Sequence, residues 1–134
     1  MTARFLTDLH LGYSADGERK RLDAPLEYES DVAKRIFVVP AGFETDLASV
    51  PRLPLAYMLF GGVGDAAAVV HDYLYTTQKV SRKMADNVLA EAMKVSGVAG
   101  WRRGPMWFGV RMFGWLHWKK PKPLQLDSED FYVG

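Results

Sequence analysis

Residues 61–93 read GGVGDAAAVVHDYLYTTQKVSRKMADNVLAEAM, and the fold is decided by how this stretch pairs with itself. A glycine-rich turn leads into a first helix expected over 65–76. Asp65 is its N-cap, because its carboxylate can accept the free N–H groups of the first turn at the positive end of the dipole. Ala67, Val70 and Leu74 make an i, i+3, i+7 buried stripe. His71 and Tyr75, four apart, share the adjoining face, with Asp72 rotated by about 100° from His71. Ser81 caps a second helix whose apolar positions are Met84, Val88, Leu89, Ala92, Met93 and Val95, stopped by Gly97. The connection of about five residues forces the two helices antiparallel. Asp86, on the side of Leu89 and Met93, then faces back towards His71, where a carboxylate orients an imidazole as in a His–Asp base pair. Ionisable groups among so many apolar ones need partners, and these are expected to be each other's.

The chain outside this stretch divides by pattern. A short strand is expected over 4–13 with Phe5 at its centre, then a turn at 12–17. Leu22, Ala24, Leu26 and Tyr28 alternate with charged residues as in a half-buried strand, which Pro25 makes an edge strand or a bulged one. Ile36 to Val39 form a third strand, closed by Pro40. Strands first (4–39) and helices afterwards (65–118) give an α+β domain: a small N-terminal antiparallel sheet, then a three-helix part containing the antiparallel pair, with a tail over 119–134.

Between the halves, PAGFETDLASVPRLP is a proline-fixed crossover within 40–60. Asp46 either caps a turn over 47–50 or reaches the His71 site, and the two roles are compatible. A third helix is expected over 105–118, with Pro105 at its first position. Trp107, Phe108, Phe113, Trp115 and Trp118 make it apolar almost all round, as for a helix packed in the fold, in a subunit interface or against lipid.

The formal charge of +1 gives no global field towards nucleic acid or anionic membrane, and nucleic acid is an improbable partner. With no cysteine there is no disulfide framework and no thiolate zinc site. The first residues do not have the pattern of a signal peptide, and no apolar run reaches the ~18 residues of a membrane span.

VPAGFETDLASVPRLP followed by AVVHDYLY, SRKMADNVLAEAM and PMWFGVRMFGW resembles a phage- and prophage-encoded family of small proteins classed as a domain of unknown function, over roughly residues 20 to 118. The resemblance implies a phage or prophage origin, with the host cytoplasm or the virion as location. A second resemblance is local. GGVG, then HDYLY, then the Asp of ADNVLA is similar to the core of phospholipase A2. It implies that His71 is the general base, that Asp86 orients it, that Tyr75 hydrogen-bonds Asp86, and that Asp72 ligates calcium or another divalent metal with loop carbonyls. Asp46 is the further candidate ligand. GGVGD is shorter than that family's calcium loop, and its disulfides are missing. The HD doublet also resembles metal-dependent phosphohydrolases named for it, but their further upstream His would have to be His10, on a strand.

The functional expectation is a metal-assisted hydrolase of esters or phosphodiesters centred on His71 and Asp72. The alternatives are a tail, neck or assembly protein in which the His71–Asp72–Asp86 cluster clamps helices together, and a modulator of host functions. Other virion proteins, a lipid surface met through the 105–118 helix, and further copies of the chain are the expected partners.

Overall fold

The computed structural model describes residues 2–13, 20–45 and 64–118. The turn at 14–17, most of the crossover with Asp46, the glycines at 61–63 and the tail at 119–134 lie outside the described residues.

The N-terminal part forms two antiparallel sheets of three strands each. β1 (Arg4–Phe5), β4 (Leu26–Ser30) and β5 (Arg35–Val39) make one, in the order β1-β4-β5. β2 (Leu11–Tyr13), β3 (Lys20–Leu22) and β6 (Glu44–Thr45) make the other, in the order β2-β3-β6. The single strand expected over 4–13 is thus two strands in different sheets. The alternating run around Pro25 is also divided, because proline cannot donate to a ladder and the chain leaves one sheet for the other there. The alternation still places side chains correctly: Leu22, Leu26 and Tyr28 are buried. On β5, Phe37 and Val39 point inward, opposite Tyr28 and Leu26, and Ile36 and Val38 point outward. β6 falls inside the stretch expected to be loop.

Three helices and a further single turn follow among the described residues, giving the α+β class. α1 (Asp65–Thr77) buries eight of its residues because it lies at the centre, touching β4, β5 and β6 as well as the second helix and the final turn. Gly64 is its N-cap, and Asp65 is instead the first helical residue, still at the positive end of the dipole. α2 (Arg82–Val95) starts at Ser81, whose hydroxyl accepts from Met84 N–H at 3.1 Å. It ends in a Schellman motif: Val98 N–H donates to Met93 O at 2.9 Å and Gly97 N–H to Lys94 O at 3.1 Å, with Gly97 at φ 88. Val88, Leu89, Ala92 and Met93 are buried, whereas Val95, expected inside, is exposed at the helix end.

α3 (Gly100–Phe113) begins a full turn earlier than the proline signal suggests. Ala99 O accepts from Arg102 and Arg103 N–H, both at 3.0 Å, so the helix is nucleated before Pro105. Pro105 then removes the bond to the Trp101 carbonyl, a loss softened by water because Trp101 is 78% exposed. Gly114 joins α3 to the single turn α4 (Trp115–Trp118): its N–H donates to Val110 O at 2.8 Å and its carbonyl accepts from Trp118 N–H at 3.1 Å. Only Met106, Gly109 and Val110 of α3 are buried among its described side chains, so it is not enclosed by the fold.

The first sheet is tied to α2 by one carboxylate. Glu91 Oε1 accepts from Tyr28 OH at 2.7 Å and from Ser30 OH at 2.9 Å, and Oε2 accepts from Val32 N–H at 2.7 Å. Burial, then the Glu91 hydrogen bond and charge, push the Tyr28 phenol far above its ordinary range. Glu91→Ala strands two buried hydroxyls and a backbone donor. It should cost about 2 kcal/mol, read as a lower urea midpoint at unchanged slope.

Candidate active site

The short connection over 78–81 returns α2 alongside α1, so that His71, Tyr75 and Asp86 meet. Gln78 closes α1 in the left-handed conformation, φ 53, and its backbone N–H donates to Leu74 O at 2.8 Å. His71 Nε2 lies 2.8 Å from Asp86 Oδ1, and Tyr75 OH donates to the same oxygen at 2.6 Å. The two rings pack at 4.3 Å between centroids. Arg111 on α3 donates to Asp86 Oδ2 at 3.0 Å, and Arg82, one turn before Asp86, stands 3.6 Å from that oxygen. Both carboxylate oxygens are therefore engaged.

Burial and hydrogen bonding pull in opposite directions at Asp86. Burial penalises its charge and pushes its pKa up. The hydrogen bonds from His71 and Tyr75, the attraction of the His71 ring and the Arg111 bond outweigh it, so the carboxyl is held below its ordinary range. An ionised carboxylate only accepts, which places the proton of the facing nitrogen on Nε2 and leaves Nδ1 as the basic position of the neutral ring. Tyr75 is driven the other way: burial, then its bond to Asp86 and that charge, push its phenol far above the usual value. It stays a donor.

The sign of the pH dependence follows. A carboxyl whose folded pKa is depressed contributes stability that is present above the unfolded value, about 4, and is lost as pH falls through the folded pKa. Thermal denaturation of the wild type should show this loss below about pH 4, and Asp86→Asn should flatten the slope in that window.

The burial is graded. The Asp86 side chain is 0% exposed and that of His71 6%, so the carboxylate sits sealed behind an imidazole that keeps a sliver of surface. Asp72 is half-buried, and its Oδ2 accepts from Thr45 OH on β6 at 2.9 Å. It therefore faces the second sheet and not Asp86. Among the described residues no group of three or more His, Asp or Glu side chains is arranged to hold a metal ion.

Sequence reasoning did not find Arg111, Arg82, Thr45 or Gly114. Arg111 had a signal, a charged residue in the middle of a run of aromatic and aliphatic ones, which burial tolerates only beside a counter-charge. Arg82 also closes the end of α3, donating to Val110 O at 3.0 Å and to Arg111 O at 3.1 Å. Trp118 of α4 packs edge-on against Tyr75 at 5.2 Å, and its carbonyl accepts from Gln78 Nε2 at 2.6 Å. The site is thus held from α1, α2, α3 and α4 together.

The family model described as a protein of unknown function (DUF1353) matches residues 20–110. That is well over half of the chain, and the chain belongs to this family. Neither the curated proteins nor the solved structures searched contain a match to it.

Proposed function

We propose that this member of the DUF1353 family is a hydrolase of phage or prophage origin that acts on an ester or phosphodiester, with His71 as its general base. The observation that carries the reading is the single Asp86 oxygen shared by His71 Nε2 at 2.8 Å and Tyr75 OH at 2.6 Å. That arrangement fixes one tautomer, and a base is useful only in one tautomer. Nδ1 takes a proton from water as the water oxygen bonds to the carbonyl carbon or phosphorus. The negative charge passes to the oxygen of that centre. On collapse the bond to the leaving oxygen breaks, and the proton on Nδ1 passes to it. The Nε2 proton stays on the ring, donated to Asp86 throughout, while Tyr75 and Arg111 keep that carboxylate charged and still.

Asp72 is the proposed ligand for a divalent cation, calcium in the first instance. With no side-chain cage among the described residues, the other donors would be backbone carbonyls, which calcium accepts readily. A bound cation would stabilise the developing oxyanion. The origin rests on the pairing of GFETDLASVP with HDYLY.

A second reading is favoured by one observation. Arg111 adds a charge-assisted bond to Asp86 Oδ2, more than an orienting carboxylate requires and what a clamp across α1, α2 and α3 would use. Hydrolysis of fluorogenic carboxylic and phosphodiester substrates, with and without calcium, separates the two. His71→Gln keeps a donor for Asp86, so its melting temperature should stay within a few degrees while the rate falls about a hundredfold or more. A wild type inactive on every substrate, with His71→Ala strongly destabilised, would leave the clamp.

A further inference from the structure

The third helix has an apolar face that the described residues do not cover. Trp101 is 78% exposed, Phe108 61%, Met112 52% and Trp115 47%. Their spacing, i, i+7, i+11 and i+14, is one stripe at a helical period. The stripe continues into α4 because Gly114 keeps right-handed helical angles, φ -63 and ψ -22. Gly104 and Pro105, exposed as well, extend it between Trp101 and Phe108.

The stretch of sequence that forms this face carries charge of one sign. From residue 92 to residue 126 the sequence has no Asp or Glu, while Lys94, Arg102, Arg103, Arg111, Lys119, Lys120 and Lys122 all fall there, with all four tryptophans. Arg102 leans on the Trp101 ring at 6.0 Å. Beside the stripe, and sharing Gly104 with it, an open groove of about 490 Å³ runs between α2 and α3, lined by Lys94, Gly100, Arg103 and Trp107 among others. Gly100 leaves room for the Arg103 guanidinium, 3.1 Å from where a Cβ would stand. Arg103 Nε is buried without a hydrogen-bond partner. The one carboxylate in the groove wall, Glu91, has both oxygens turned to Tyr28, Ser30 and Val32.

We infer that this face docks on an anionic lipid bilayer surface, with Trp101, Phe108, Met112 and Trp115 entering the interface and lipid phosphates meeting Lys94 and Arg103. Tryptophan and phenylalanine beside arginine and lysine suit the headgroup boundary, where one side of the helix is apolar and the other meets anionic groups. A second copy of this chain is a poor occupant, since the face would bring cations against cations. A nucleic acid would leave the stripe without a matching apolar surface. No described helix is long and apolar enough to cross a membrane, so the helix lies on the surface. Taken with the hydrolase reading, this makes a lipid ester at an interface the substrate class; the docking itself does not depend on catalysis.

Co-sedimentation with vesicles of equal parts phosphatidylcholine and phosphatidylglycerol tests it, with phosphatidylcholine alone as the neutral surface. The full chain should bind the anionic vesicles, weaken at high salt, and bind the neutral ones far less. The double variant Trp101→Ser and Phe108→Ser should lose about tenfold or more in affinity at an unchanged melting temperature. Lys94→Gln with Arg103→Gln should lose the preference for the anionic surface. His71→Gln should bind like the wild type, which keeps docking and hydrolysis separable. Absence of vesicle binding, undiminished binding by the Trp101 and Phe108 variant, or a dimer in solution that this variant abolishes with no vesicle binding, would each overturn the inference.

Discussion

Asp86→Ala is expected to be the most damaging single substitution in the helical part, lowering stability by about 3–5 kcal/mol. The carboxylate is fully buried and accepts from groups on two other helices: His71 and Tyr75 of α1 and Arg111 of α3. Removing it does not merely delete three bonds. It leaves a guanidinium, a phenol and an imidazole facing one another, each without its acceptor, and the charge is the costly member. Asp86→Asn should lose less, because the amide oxygen can still accept, although its NH₂ group must face a donor. Chemical denaturation of the two variants against wild type gives the numbers. A loss under about 1 kcal/mol for Asp86→Ala would mean that the cluster contributes little to holding the helices.

The second large effect is expected at Gly114, through packing alone. A Cβ there would fall inside van der Waals contact with the Tyr75 hydroxyl and with the Val110 carbonyl oxygen. The carbonyl belongs to the backbone of α3 and cannot step aside, and the hydroxyl is committed to Asp86 at 2.6 Å. Gly114→Ala should therefore cost about 1–3 kcal/mol. It should also push Tyr75 off Asp86, and the hydrolysis proposed above would then fall along with stability. In the double variant Gly114→Ala with Tyr75→Phe the clash with the hydroxyl is gone, and the combined loss should be smaller than the sum of the two single losses. Strict additivity would show that Gly114 and Tyr75 do not press on each other.

Much of the centre of the molecule was legible because short-range rules govern it. Two helices with a few residues between them must lie side by side, and the i, i+4 spacing of His71 and Tyr75 then aims both at the facing helix, where Asp86 waits. Ser81 and Gly97 mark the ends of α2 by chemistry that needs no tertiary information. The errors lie where long-range contacts overrule local signals. Pro25 was visible as a fault in a strand, but that the chain changes sheets there depends on β6 pairing with β3, far away in sequence. Pro105 suggested a helix start, yet the helix runs through it because the Ala99 carbonyl begins the turn earlier.

The site was read less completely than the helix pair. Asp72 accepts from Thr45 of the second sheet, a contact that spacing along a helix cannot foretell. Arg111 reaches Asp86 from a third helix, so its role depends on how α3 lies across the pair. The aromatic residues of α3 illustrate the same limit: composition announced an apolar helix, and only the packing tells which of its faces is left open to solvent.

The proposed chemistry requires Asp86 to present His71 as a reachable base with its lone pair on Nδ1. Alkylation by a small haloketone such as phenacyl bromide, mapped by mass spectrometry of proteolytic fragments, tests it most directly, with exposed His10 as the internal reference. His71 should be modified at Nδ1 alongside His10, with loss of the proposed hydrolysis in step with it. A His71 that stays unmodified while His10 reacts would rule out the general-base role and make the cluster a sealed clamp.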